Sequence, residues 1–242
     1  MRRVSLLIFS LLVLFGAFSY RSVLHRDSRT HLTAIVQTSS TKEALKTTYL
    51  AELLDLSIES PISIYEIDLK KARKKLLRSP LIASAIVKRL PPDRLYIEYE
   101  VRQPIALLGD YANIGVDREG YLFPLTPFFT PKALPELYLG LPPFESPEDS
   151  LGRKGGSWHE PLSNRYFRLS LEILDKCSYP LGDFSLKRID VSNAFSTSLG
   201  KREIVLVTEE MLQLGTSSYL FPKMVRLHVK NIDEELVQLE KL

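Results

Sequence analysis

Cysteine is nearly absent: Cys177 stands alone among 242 residues. A single thiol excludes an internal disulfide and any multi-cysteine metal site. Histidine is sparse, and His25, His31, His159 and His228 lie far apart, with no metal-ligand spacing such as HExxH. Neither a glycine-rich phosphate loop nor a G-x-S-x-G nucleophile context occurs. The sequence therefore offers no catalytic, cofactor-binding or metal constellation, and it reads as a non-enzyme. Excess charge is lacking too. A net charge of +3 is too slight to imply nucleic-acid binding. Beyond the first twenty residues no apolar run is long enough to cross a bilayer, so at most one span exists.

What is present begins with that first run. Met1 to Arg3 is short and basic, and Val4 to Tyr20 carries no charge. At ~1.5 Å per residue it spans roughly 25 Å, the short limit for a bilayer. Arg2 and Arg3 favour a cytoplasmic N-terminus, although Arg21, Arg26 and Arg29 on the far side blur the charge rule. Two readings fit. One is an uncleaved single-pass membrane anchor. The other is a signal peptide, for which Ala17-Phe18-Ser19 supplies a small-x-small triplet. The length favours the anchor, and both readings place the chain after a linker, 21–29, outside the cytoplasm.

With 45% hydrophobic and 25% charged residues, the remainder fits one large domain or two small ones. His31 to Ser39 reads as a strand. The stretch from Ser39 to Ser57 reads as a helix opened by a capping box, Ser40 with Glu43, and carrying Leu45, Tyr49, Leu50, Leu53 and Leu54 on one face. Asp68 is a good N-cap for a second helix that ends at Ser79-Pro80. Then come two strand-like runs joined by Pro91-Pro92-Asp93, turn chemistry. In the second run Leu95, Ile97, Tyr99 and Val101 alternate with Arg94, Tyr96, Glu98 and Glu100, the period of a half-buried strand. Residues 30–103 thus spell strand, helix, helix, strand, strand, a small α+β domain.

Gln103-Pro104 marks a joint to a second, β-rich α+β domain, 104–242. Asp117-Arg118-Glu119-Gly120 reads as a turn between strand-like pieces, not as a catalytic carboxylate pair. Residues 126–163, rich in proline, read as a surface excursion, with Trp158 packing back on the domain. Ser163 to Ser178 reads as a helix with Cys177 as a packed side chain. "FSLKRIDVSN" and "KREIVLVTEE" read as strands, and a final helix is expected from about Tyr219 towards Leu242.

This layout resembles the bacterial cell-division family FtsQ/DivIB. "SPLIASAIVKRLPPDRLYIEYEVRQPIALL" is similar to the end of that family's POTRA domain, "IGVDREGYLFPL" to the hairpin after it, and "LQLGTSSYLFPKMVRL" to a Leu-Gly and Lys-containing helix near the C-terminus. The resemblance implies a POTRA-like β-α-α-β-β domain, then a β-rich domain, and a non-enzymatic membrane-anchored scaffold of the division septum. It implies partners such as the small coiled-coil membrane proteins FtsB and FtsL, bound by strand addition at the C-terminal sheet edge. The chain ends in an acidic, helical "NIDEELVQLEKL" where the family has a further strand. This departure is like a divergent, chlamydia-like member, and it leaves the usual partner strand without a counterpart.

Candidate partner-binding residues follow. Lys70, Lys71, Lys74 and Lys75 sit with Arg73 and Arg78 on the second helix, a solvated face or a dock for an acidic partner or anionic lipid. Tyr96, Glu98 and Glu100 face outward, paired across strands with neighbours such as Lys88 or meeting a partner or an added strand. Ile204 and Leu206 lie in a mostly apolar strand, central and buried or a second edge, and Lys223 lies in the last helix expected. The alternative functions are an exported POTRA-containing chaperone or accessory in outer-membrane protein assembly or secretion, and a cell-wall hydrolase, disfavoured for want of catalytic residues.

Overall fold

The computed structural model of the protein describes residues 11–20, 31–177, 184–214 and 217–239. Residues 11–20 are helical (α1), with Leu11, Leu14, Phe15 and Phe18 exposed. The expected span Val4–Tyr20 lies partly outside the described residues, and the linker 21–29 wholly so. Among the described residues no helix is long and apolar enough to cross a membrane. The chain divides into two compact units between Val101 and Arg102.

The first unit builds a three-stranded sheet in the order β1-β3-β2 from β1 (Ala34–Ser39), β2 (Ile82–Leu90) and β3 (Arg94–Val101). The alternation of β3 works as the sequence predicts: Leu95, Ile97, Tyr99 and Val101 are buried. β2 runs antiparallel to β3 through the Pro91–Asp93 turn, whereas β1 runs parallel to it. Helices α2 (Thr47–Leu53) and α3 (Leu69–Leu76) bring Leu50, Ala72 and Leu76 into the core.

The start of α2 differs from expectation. No capping box forms from Ser40 and Glu43. The helix begins after Lys46, whose backbone is extended and which makes no side-chain cap. A side chain distant in sequence fixes the segment ahead of the helix instead. The buried Tyr99 hydroxyl accepts from Leu45 N at 2.9 Å, and Gln37 Nε2 donates to Leu45 O at 3.1 Å. These long-range bonds hold Leu45 in the core ahead of the helix. Asp68 does cap α3, accepting from Lys70 N and Lys71 N at 2.9 and 3.1 Å.

The second unit holds a seven-stranded mixed sheet. Its strands are β4 (Ala106–Leu108), β5 (Ile114–Val116), β6 (Leu122–Pro124), β7 (Glu136–Tyr138), β8 (Phe184–Asp190), β9 (Ile204–Leu214) and β10 (Ser217–Leu227). Their order is β10-β9-β8-β7-β4-β5-β6. Helix α4 (Arg165–Cys177) covers the sheet with Tyr166, Phe167 and Ile173, and α5 (Ile232–Leu239) adds Ile232 and Leu236. The side chain of Asn164 caps α4 by accepting from Phe167 N at 2.9 Å.

Two expectations are corrected here. The 126–163 excursion is not merely a surface loop. It supplies β7, which lies parallel between β4 and β8 and buries Leu137, with Leu139 buried just beyond it. The Asp110 carboxylate anchors this segment by accepting from Leu139 N and Leu141 N, each at 2.9 Å. Tyr111 meets Phe144 edge-on and Phe144 meets Trp158 at a tilt, with ring centroids 5.3 and 4.7 Å apart, so Trp158 packs on the domain as expected.

The expected final helix from Tyr219 is also wrong. The chain from Ser217 to Leu227 is a strand, and the helix spans only Ile232–Leu239. Proline inside a helix removes a backbone donor and clashes with the preceding turn. Pro222 therefore opposed that helix from the start. The acidic stretch after it is helical as expected, and β10 is the last strand in the sheet order among the described residues.

Candidate functional site: a free edge on the second sheet

β9 and β10 form a long hairpin in continuous register, from Leu227 opposite Ile204 to Ser217 opposite Leu214. β8 pairs with β9 only as far as Glu210. Among the described residues, Met211 to Leu214 and their partners therefore overhang the rest of the sheet. β10 is the last strand in the order, so one of its edges has no neighbouring strand among the described residues.

The hairpin's two faces follow from the pleat. Leu227 is buried, and Val225, Lys223, Phe221 and Tyr219 share its side. Leu220, Met224 and Arg226 take the other. Near the core the first side is covered; along the overhang it is not. Met211 is 57% exposed, Leu220 63%, Phe221 53% and Met224 67%. Natural edge strands are usually short, charged or covered, and an apolar overhang of this kind is a candidate interaction site. Charges lie closer to the base, where Lys223 pairs with Glu210 at 2.6 Å and Arg226 with Glu203 at 3.6 Å.

The residues singled out in the sequence fall in different places. Lys223 lies on strand β10 rather than on a helix. Ile204 and Leu206 are fully buried on β9, between β8 and β10. They belong to the core and offer a partner neither side chain nor edge. The central-strand alternative holds for them, and the edge is one strand further on.

In the first unit, Lys70, Lys71 and Lys74 are exposed on α3, but Lys75 is occupied: its Nζ meets Asp55 Oδ2 at 2.5 Å and Leu54 O at 3.4 Å. Arg73 Nε donates to Ala85 O at 2.8 Å. The basic face is thus partly tied to its own fold. The backbone N–H of Lys71, foremost, holds the Asp68 carboxyl below its ordinary value. Tyr96, Glu98 and Glu100 lie on β3, paired on both sides by β1 and β2. No strand can be added to β3. Their outward face is knit across strands: Lys88 Nζ sits 5.9 Å from the Tyr96 ring, Tyr96 OH donates to Thr38 Oγ1 at 3.4 Å, and Ser84 Oγ donates to Glu100 at 3.4 Å.

Sequence reasoning missed one further cluster. Arg102 Nη1 donates to Asp117 Oδ2 at 2.7 Å, and its guanidinium lies 3.7 Å over the Tyr121 ring. Asp117 Oδ1 accepts from Glu119 N and Tyr121 N at 3.0 and 2.8 Å, closing the expected turn. Gly120 has φ +91° in that turn, and a Cβ there would lie 2.4 Å from Leu162 O, so only glycine fits. The Arg-Gln-Pro stretch and the Asp-x-x-Gly turn, noted separately in the sequence, are thus one salt-bridged unit.

An open cleft of about 430 Å³ in the second unit is lined by Tyr111, Phe129, Lys132, Glu136 and Tyr138. A groove of about 370 Å³ runs beside β1 in the first unit, lined by Ala34, Ile35, Ala51 and Ile62. Among the described residues no three His, Cys, Asp or Glu side chains converge to hold a metal.

Residues 42–99 match the family model for the POTRA domain, FtsQ-type. The match takes in α2, α3, β2 and most of β3, and it leaves the second unit outside. No curated protein matches the chain. The first unit thus carries an FtsQ-type POTRA domain, as its strand-helix-helix-strand-strand order suggests.

Proposed function

We propose that this protein is a membrane-anchored, non-enzymatic scaffold of the bacterial division septum, which docks other division proteins through its extracytoplasmic domains. The observation that carries the reading is the FtsQ-type POTRA domain at residues 42–99, a domain type that points to a division-related scaffold. The uncharged run Val4 to Tyr20 behind Arg2 and Arg3 supplies the anchor, single-pass in the inner membrane with the N-terminus cytoplasmic and the bulk of the chain periplasmic. The free edge of β10 supplies the docking surface for small coiled-coil membrane proteins of the FtsB and FtsL kind, by strand addition. Anchoring scaffold and partners in one membrane raises their effective concentration, so modest edge contacts suffice.

The test is imaging of the full chain in dividing cells, together with co-purification. A midcell band and recovery of small single-span coiled-coil proteins are expected. An even distribution with no such partner would overturn the reading. The triplet Ala17-Phe18-Ser19 favours a second reading, a soluble POTRA accessory in outer-membrane assembly or secretion. N-terminal sequencing of the mature protein separates the two, since cleavage after Ser19 belongs only to the accessory.

A further inference from the structure

We infer that Pro222 divides the free edge of β10 in two, and that the half from Ser218 to Phe221 is the docking register for a short, uncharged, extended segment of a partner protein. The inference rests on the strand-docking reading above and deepens it.

The direction of the proline follows from the ladder. In an antiparallel strand the N–H and C=O of one residue point to the same side, and the side alternates along the chain. Ser185 Oγ reaches Glu209 O at 3.5 Å, so the Glu209 carbonyl points towards β8. Glu209 stands opposite Pro222. The groups of Glu209 therefore point away from β10, and the nitrogen of Pro222 points away from β9, out to the free edge. The ladder agrees, because a proline facing inward would delete one of its bonds. Residues of the same parity present their backbone at the edge: Ser218, Leu220, Met224 and Arg226. In the middle stands Pro222, with a ring where the donor should be.

An incoming strand that ran the whole edge would bring a carbonyl against that ring and leave it unsatisfied. It must stop or bulge there. The two halves differ in chemistry. From Met211 to Phe221 the sequence holds no charged residue. Met211, Tyr219, Leu220 and Phe221 are all more than half exposed. The other half carries Lys223 and Arg226, the latter with a side chain 71% exposed. The charges nearest this half, Glu210 opposite Phe221 and Lys223 beside it, are paired with each other at 2.6 Å, so a charged segment laid on the overhang would lose hydration with no free counter-charge to replace it, whereas an uncharged one buries the apolar flank. The fit is to a segment of about four residues, the length left between the hairpin end and the proline.

The experiment uses the full chain in detergent micelles. Two synthetic probes carry alternating Thr and Val, five and nine residues long, each with a polyethylene glycol tail. Amide hydrogen exchange along β10 and the apparent affinity of each probe are measured. The wild-type chain should hold both probes equally, within about twofold, and protect Ser218 and Leu220 but not Met224 or Arg226. Pro222→Thr restores the donor. It should hold the nine-residue probe about tenfold tighter, the worth of one neutral hydrogen bond with its carbonyl satisfied, and leave the five-residue probe unchanged. A lysine at the centre of the short probe should weaken it.

If the wild-type chain holds the long probe about tenfold tighter than the short one, Pro222 is no boundary and the inference falls, while strand docking stands. If neither probe protects β10 on either chain, the docking reading falls as well. If Ser218 and Leu220 gain protection with protein concentration alone, the occupant is a second copy and the partner assignment is overturned. Should the variant fail to fold, the wild-type comparison of five with nine residues still decides.

Discussion

The two sheets treat their strands differently. In the first unit the outward face of β3 is polar and knit together by Lys88, Tyr96, Thr38, Ser84 and Glu100, and β3 itself is flanked on both sides. In the second unit the sheet ends, among the described residues, in a hairpin that outruns its neighbour, and β10 carries apolar side chains on both faces of an edge with no neighbouring strand there. One sheet spends its cross-strand pairs on itself; the other leaves its last strand open. A residue's sequence pattern therefore says less about docking than its place in the strand order does. Tyr96 and Glu98 look like partner contacts until β1 is found beside them, and Lys223 looks unremarkable until β10 becomes an edge.

Substitutions can break this contrast, beginning with the largest effect. Ile97→Ala empties a fully buried site on the central strand of the first sheet. It should cost about 3–4 kcal/mol, read by denaturant unfolding, within the range for large-to-small core changes. Arg102→Ala leaves Asp117, with a side chain only 10% exposed, without its cation. A loss of about 3 kcal/mol in the second unit is expected, read by the same means. Tyr99→Phe removes the acceptor of Leu45 N and should cost about 1–2 kcal/mol with little change in fold, checked by thermal unfolding and by exchange at the Leu45 amide.

A pH series sharpens the second unit. Desolvation, above all, raises the Asp110 carboxyl above its ordinary 3.8, against the pull of three backbone N–H groups. Between 3.8 and the raised value the folded chain holds more protons at this site than the unfolded one, so its contribution to stability falls as pH rises through that window. Asp110→Asn should abolish that slope, and the stability difference, wild type minus variant, should shrink steadily as pH climbs from acid towards neutral. Unfolding midpoints measured across that range check it. At the small end, Leu220→Ser at the exposed overhang should move stability by less than about 0.5 kcal/mol. It should nevertheless weaken partner docking on β10, measured by binding to the purified chain. Equal stability with reduced binding is the signature of an edge that serves a partner, and its absence would place β10 with β3 as structure alone.

Where the sequence pattern was long, it sufficed. The eight residues of β3 alternate without interruption, and Asp68 sits one residue before its helix, so both could be read directly. The resemblance to a POTRA domain rested on those same residues. The failures share a cause, which is that distant residues decide them. β7 has three residues, too few to show a period, and it is a strand because β4 and β8 flank it. The capping box at Ser40 and Glu43 is sound local chemistry, but the Ser40 N–H it would use goes to the backbone carbonyl of the distant Tyr99 at 3.3 Å. The last segment reads as helical by its spacing, yet Pro222 opposes a helix and the chain there is a strand. The edge strand β10 thus lies where the spacing points to a helix, one strand beyond the buried Ile204 and Leu206.

The parallel pairing of β1 with β3 has a mechanical meaning. Thr33 N donates to Asp93 O, so the chain enters the first unit beside the start of β3, and it leaves at Val101, the far end of the same strand. Entry and exit are separated by the length of β3, roughly 25 Å at ~3.3 Å per residue. Tension between Thr33 and Val101 would pull β1 and β3 past each other along their length. All six register pairs, from Ala34↔Arg94 to Ser39↔Tyr99, would bear the force together. A ladder pulled this way resists as a block rather than opening like a zip, so the small unit is built as a stiff link in series with whatever the chain holds at either end.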